Sequence, residues 1–173
     1  MRLFIAVPLP KNVQRAVWTV EESLRQAGAT GRFVPQGNHH ITVRYLGETD
    51  ALADVAAAMH EAVCDAKPFL LRLGAIDYFV HSGTKTCVLN VGGETQEFFR
   101  IYETLEESLL DRGFVRGRGK PTPHITLAQG ISHPEGLTLP VPGETFTARS
   151  IVLYESRSER GRMVYLPLHS ETF

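Results

Sequence analysis

A chain of 173 residues is long enough to bury a core, but too short for more than one domain or two small lobes. With 43% hydrophobic and 21% charged residues it reads as globular, which excludes an extended disordered chain. A net charge of −1 excludes a global attraction to nucleic acid, so such a partner has to be met by a local basic patch.

In chain order, residues 2–8 are an apolar run that reads as a first strand. Leu3–Leu9 has the length of a signal-peptide core. Pro8 and Pro10 interrupt it, however, and Lys11, Arg15, Glu21, Glu22 and Arg25 precede the small residues at 27–29. Residues 11–27 then have helical periodicity, with Val13, Val17, Val20 and Leu24 on one face and Gly28 as the stop. Residues 40–46 alternate as a strand. Residues 50–66 are an alanine-rich helix with Asp50 as its expected N-cap. Two strands follow at 69–80 and 86–91, turned at Ser82-Gly83, and then a helix over 94–112 that stops at Gly113. The last strands are expected at 123–129, 146–154 and 163–168. The order strand, helix, strand, helix recurs loosely in the second half, which implies two related α+β lobes facing each other. Cys64 and Cys87 share no CxxC or zinc-ligand spacing, as suits a reduced, cytoplasmic protein. No stretch approaches the length of an apolar membrane span, so no membrane partner is expected.

The informative feature is a repeat. "HHITVRYLG" begins at His39, and "PHITLAQG" begins at Pro123, nearly half the chain later. With 7 His in the chain a bare His-x-Thr is unremarkable, but random order would give His-Ile-Thr only roughly 0.02 times. The bland alternative is two ordinary strands, each with one satisfied His. Strict alternation puts Ile41, Val43 and Tyr45 on a packed face and His40, Thr42 and Arg44 on an open one. In the second copy Ile125 and Leu127 are packed, and His124 and Thr126 share the open side. If the lobes face each other, two imidazoles and two hydroxyls converge.

That set suits a phosphate ester. One neutral imidazole can take a proton from water while the other, protonated, gives one to the departing oxygen. The hydroxyls can donate to non-bridging oxygens. A metal site fits less well, because adjacent His39 and His40 would point to opposite faces and no carboxylate shares the spacing.

These motifs, with the N-terminal "RLFIAVPLP" and the late "FTARSIVLYESR", resemble the 2H phosphoesterase superfamily, in particular its RNA 2′,3′-cyclic phosphodiesterase members, also called 2′-5′ RNA ligases. The likeness covers essentially the whole chain, residues 1–173, as one bilobal domain. It implies an α+β fold of two pseudo-twofold-related lobes of antiparallel sheet, with helices on the outer faces and the active-site cleft between them. By the same resemblance His40 and His124 are the catalytic histidines and Thr42 and Thr126 the phosphate binders, with no metal and no cofactor. The implied reaction is hydrolysis of RNA 2′,3′-cyclic phosphate ends to a 2′-phosphate, with His40 as acid, His124 as base and reverse 2′-5′ ligation as a companion reaction. The implied partner is cyclic-phosphate-terminated RNA, including tRNA-derived ends, met by a cytoplasmic monomer.

One departure stands out. Many members of that family carry Arg five residues after the second motif His, where this chain has Gln129. Positive charge is available nearby in "RGFVRGRGKP", whose Arg116, Arg118 and Lys120 are candidate RNA contacts together with Arg44 and Gln129, although a flexible solvated loop would read the same. Phe33 is a candidate base-stacking residue or simply a packed aromatic. Two other functions use the same residues. One is a non-catalytic RNA-binding module, and the other is a phosphodiesterase for a small cyclic nucleotide or ADP-ribose cyclic phosphate.

Overall fold

The computed structural model describes residues 1–173. Its elements are β1 (Arg2–Pro8), α1 (Lys11–Gln26), β2 (Thr30–Phe33), β3 (His40–Glu48), α2 (Leu52–Val63), β4 (Phe69–His81), β5 (Thr84–Gly93), α3 (Thr95–Asp111), β6 (His124–Ser132), β7 (Thr145–Ala148), β8 (Ser150–Glu159) and β9 (Arg162–Thr172). Pro10, with φ −67°, opens α1, and Gly28 beyond its end has φ +90°, a conformation open to glycine at no steric cost. All four of the expected apolar residues of α1 are buried. Ser82 and Gly83 both have positive φ, the two-residue turn whose twist matches a β-hairpin, and they join β4 to β5.

The strands form one antiparallel sheet in the order β7-β4-β5-β6-β3-β1-β8-β9, with β2 added on β6. The order is symmetric about its centre. The pair β1–β3, with α1 between them in sequence, recurs as β5–β6 with α3 between them. The two halves are the two lobes expected from the repeat. Their innermost strands, β3 and β6, are registered at one pair, Ile41 with Ile125, the middle residues of the two motifs.

One hydrophobic cluster joins residues from all three helices to alternate residues of the strands, so the helices cover a single face of the sheet and leave the other open. Connectivity requires that this sheet be curled. Only Arg149 separates β7 from β8, yet the two are six strand spacings apart in sheet order, roughly 29 Å if the sheet were flat.

Three expectations need correcting. The second helix is shorter than 50–66, and Asp50 does not cap it. Its carboxylate accepts a hydrogen bond from the terminal ammonium of Met1 at 3.0 Å instead. The strand expected at 146–154 is two strands, broken at Arg149 because β7 pairs with β4 and β8 with β1, at opposite ends of the sheet. The short β2 was not expected at all. No helix is long and apolar enough to cross a membrane.

Candidate active site

Antiparallel registration of Ile41 with Ile125 aligns His40 with Thr126 and Thr42 with His124, on the face opposite the buried isoleucines. Both imidazoles are tied down in the same way. His40 Nδ1 donates to the carbonyl of Asn38 at 2.8 Å, and His124 Nδ1 donates to the carbonyl of Thr122 at 2.6 Å, in each case two residues back along the chain. Because a carbonyl only accepts, these bonds place a proton on Nδ1 and leave Nε2 to take or give the second one. His40 Nε2 lies 3.1 Å from Thr42 Oγ1.

His40 is also walled by aromatic rings, with Phe4 at 4.8 Å and Tyr165 edge-on at 5.3 Å. Burial holds its pKa below the ordinary value of 6.5, the bond to the Asn38 carbonyl opposes this, and the neighbouring His39 and His124 reinforce it. On the other side Phe79 meets His124 edge-on at 5.0 Å.

Strict alternation fails at the same offset in both motif strands, and β3 has a second irregularity farther on, between the Leu3–Gly47 and Phe4–Tyr45 pairs. Along β1–β3 the register runs Ile5 with Arg44 and then Ala6 with Thr42. Along β5–β6 it runs Cys87 with Ala128 and then Val88 with Thr126. Val43 and Leu127, each three residues after its motif His, are therefore the extra residues of two bulges. Each bulge reverses the faces beyond it. Tyr45, expected to be packed, is 60% exposed and lies 5.6 Å from Phe4 on the His40 side. Arg44, expected on that side, instead pairs with buried Glu106 of α3 and donates to the carbonyls of Tyr45 and Val115. In the second copy Gln129 is turned to the face of His124 and Thr126. There its side-chain oxygen accepts a hydrogen bond at 3.2 Å from Arg32, its cross-strand neighbour on β2.

The Arg44–Glu106 pair also anchors the basic segment, since the second oxygen of Glu106 accepts from Gly117 N at 2.9 Å. The segment passes close over the ion pair, since a Cβ at Gly117 would sit 3.0 Å from the Arg44 guanidinium and would have to displace it by a few tenths of an ångström. Held in this way, Arg116, Arg118 and Lys120 line a groove of about 630 Å³ together with Thr42, Tyr45 and His124. Lys120 is partly engaged, 4.1 Å above the Phe99 ring and 3.8 Å from Glu103. Arg112 faces away and pairs with Glu61 at 2.6 Å. Phe33 packs against the core with the Arg25 guanidinium 4.1 Å over its ring. His39 is buried behind the motif, 2.7 Å from Glu21. No three His, Cys, Asp or Glu side chains are grouped so that they could hold a metal ion.

Nothing in the sequence pointed to Tyr45, Tyr165, Phe79 or Arg32 at this face. Tyr45 and Arg32 depend on bulges and on an unforeseen strand, and Phe79 and Tyr165 arrive from strands distant in sequence.

A family model described as the 2'-5' RNA ligase superfamily matches residues 12–157. The chain belongs to the 2'-5' RNA ligase superfamily. Among curated members, the RNA 2',3'-cyclic phosphodiesterase of Escherichia coli K12 is 27% identical over 171 residues, covering 96% of this chain and 93% of that protein. The protein of the same name from Methanocaldococcus jannaschii is 27% identical over 129 residues, covering 75% and 71%. Among solved members of the fold, a Thermus thermophilus protein has a TM-score of 0.79 at 27% identity, covering 99% of this chain and 97% of that one. E. coli LigT complexed with 3'-AMP has a TM-score of 0.75 at 26% identity, covering 99% and 96%.

Proposed function

We propose that this superfamily member is an RNA 2′,3′-cyclic phosphodiesterase that works by general acid–base catalysis between His40 and His124. The observation that carries this reading is the matched pair of imidazoles, each with Nδ1 bound to a carbonyl two residues back, on one open face with a threonine opposite each. The names of the relatives support the substrate class. The whole chain acts as one bilobal unit, as a monomer in the cytoplasm.

In this mechanism the cyclic phosphate lies between the two Nε2 atoms. His124 Nε2 accepts a proton from water as the water oxygen bonds to phosphorus. The bond from phosphorus to the 3′ oxygen breaks, and His40 delivers its Nε2 proton there, leaving a 2′-phosphate. Thr42 and Thr126 donate to the non-bridging oxygens as charge develops. Acid duty suits His40 only with substrate present, because burial disfavours its cation in the free protein and the bound phosphate anion restores it. If an RNA 5′-hydroxyl replaces water, the same proton transfers give a 2′-5′ linkage, which is the ligation reaction. No step requires a metal or a cofactor.

Arg116 and Arg118 follow the RNA backbone away from the site, Arg44 acts by holding their loop, and Arg32 with Gln129 supplies charge beyond Thr126. The test is turnover of an oligoribonucleotide ending in a 2′,3′-cyclic phosphate, in chelator, compared with nucleoside cyclic phosphates. Conversion to a 2′-phosphate, with higher kcat/KM for the oligonucleotide, including tRNA-derived ends, is expected. A requirement for a divalent ion, or a 3′-phosphate product, would refute the mechanism, and preference for a mononucleotide would refute the RNA assignment.

A further inference from the structure

The wall beside His124 carries side chains that acid–base chemistry between two imidazoles does not use. In register, Asp77 lies opposite Val88, Phe79 opposite Thr86, and Asn90 opposite His124. Val88 in turn lies opposite Thr126, so Asp77 and Phe79 share the open face with Thr126 and His124. Phe79 keeps 37% of its surface exposed, an apolar ring in solvent beside an imidazole. Asp77 is exposed, and no Lys or Arg pairs with it. Its oxygens are oriented instead by the Tyr78 backbone N–H at 2.7 Å and by the Asn90 side-chain amide at 3.3 Å.

An unpaired carboxylate close to a phosphate site repels the substrate unless it contacts some other part of it. A carboxylate only accepts hydrogen bonds, and each Asp77 oxygen keeps accepting capacity beyond the bond it already makes. Guanine is the nucleobase that presents two adjacent donors, N1–H and the N2 amino group, on its Watson–Crick edge. Adenine and cytosine place an acceptor nitrogen beside their amino group, and uracil flanks its one N–H with two carbonyls. The exposed Phe79 ring supplies a stacking surface that any base can use.

We infer that Phe79, Asp77 and Asn90 form a nucleobase subsite that selects guanine in the nucleotide bearing the cyclic phosphate. Phe79 stacks the base, Asp77 accepts from N1–H and the N2 amino group, and Asn90 positions the Asp77 carboxylate. The inference rests on the proposed reading of His124 as a residue that flanks the phosphate.

The experiment has two readouts on the intact protein and its Asp77→Asn and Phe79→Ala variants, all at exposed or half-exposed positions. The first is kcat/KM for guanosine, adenosine, cytidine and uridine 2′,3′-cyclic phosphates, and the second is calorimetric affinity for guanosine and adenosine 2′-monophosphates. A bidentate base contact discriminates by about tenfold to a hundredfold, so the guanosine substrate should lead by at least tenfold. Asp77→Asn should erase that lead, whereas Phe79→Ala should weaken all four. Binding should show the same Asp77-dependent preference. A wild-type protein without guanine preference in either readout overturns the subsite, as does Asp77→Asn weakening all four alike. If nothing is hydrolysed while guanosine 2′-monophosphate still binds more tightly through Asp77, the subsite stands and the catalytic reading fails.

Discussion

Replacing Glu106 with alanine tests whether the basic loop is held from beneath. The Glu106 side chain is 2% exposed and that of Arg44 12%, so the variant leaves a guanidinium largely out of water without its carboxylate. Breaking a buried ion pair costs about 3 to 5 kcal/mol. Arg44 retains the carbonyls of Tyr45 and Val115, which places the loss near the lower end, at about 3 kcal/mol including the Gly117 N–H left without its acceptor. For a chain of this size each kcal/mol moves the melting temperature by about 2 to 4 °C, so thermal unfolding should show a drop of roughly 6 to 12 °C. Activity separates support of the loop from general instability. At a temperature where the variant is fully folded, kcat/KM for a cyclic-phosphate oligonucleotide should fall more than that for a nucleoside cyclic phosphate, because Arg116 and Arg118 lose their fixed track. A drop below about 2 °C, or equal losses on both substrates, would refute the reasoning.

The threonines and the charges can be tested separately. A hydrogen bond to a charged group contributes about 1.5 to 3 kcal/mol, so Thr42→Ala and Thr126→Ala should each slow turnover roughly 10- to 150-fold with unchanged circular dichroism. Wild-type rates would remove the hydroxyls from the phosphate site. Arg116→Ala with Arg118→Ala should reduce the slope of log affinity against log salt for single-stranded RNA by about 0.7 for each phosphate no longer neutralised, and an unchanged slope would exclude the loop from the RNA path. The pH profile follows from the depressed pKa of His40. A group that acts as an acid must be protonated while its partner base is neutral, so kcat/KM should rise and fall with pH, and the lowered pKa of His40 narrows the range over which it is charged in the free protein. Bound phosphate favours the cation, so the limb for kcat should lie at higher pH, with both limbs belonging to the coupled pair. An alkaline limb of kcat that does not lie at higher pH than that of kcat/KM would take the acid role away from His40.

Most of the fold was legible because its signals are local. Proline and glycine punctuation bounds α1, valine and leucine at helical spacing give its buried face, and the repeated His-Ile-Thr marks the two central strands. The grouping of His40, Thr42, His124 and Thr126 followed from parity because all four precede the bulges. Beyond Val43 and Leu127 parity fails, which is why Arg44 and Tyr45 were exchanged between faces. A bulge is set by strand pairing, and no residue type in either motif announces it. The partners of Arg44, Gln129 and Asp50 lie far along the chain at Glu106, Arg32 and Met1, and local patterning carries no record of such contacts. The break at Arg149 was hidden for the same reason, since it reflects which neighbours each half-strand finds and not a change in composition.

The most direct measurement is the single-turnover rate, at saturating enzyme and with chelator present, on an RNA ending in a 2′,3′-cyclic phosphate for wild type, His40→Ala, His124→Ala and the double variant. Removing a general acid or base costs about 10² to 10⁴ in rate, so each single variant should fall at least a hundredfold. The double variant should lose less than the product of the two, because residues that act as a unit are not additive. A substrate with a better 3′ leaving group needs little protonation and should rescue His40→Ala far more than His124→Ala. Either single variant hydrolysing the RNA at the wild-type rate would contradict catalysis by the two histidines.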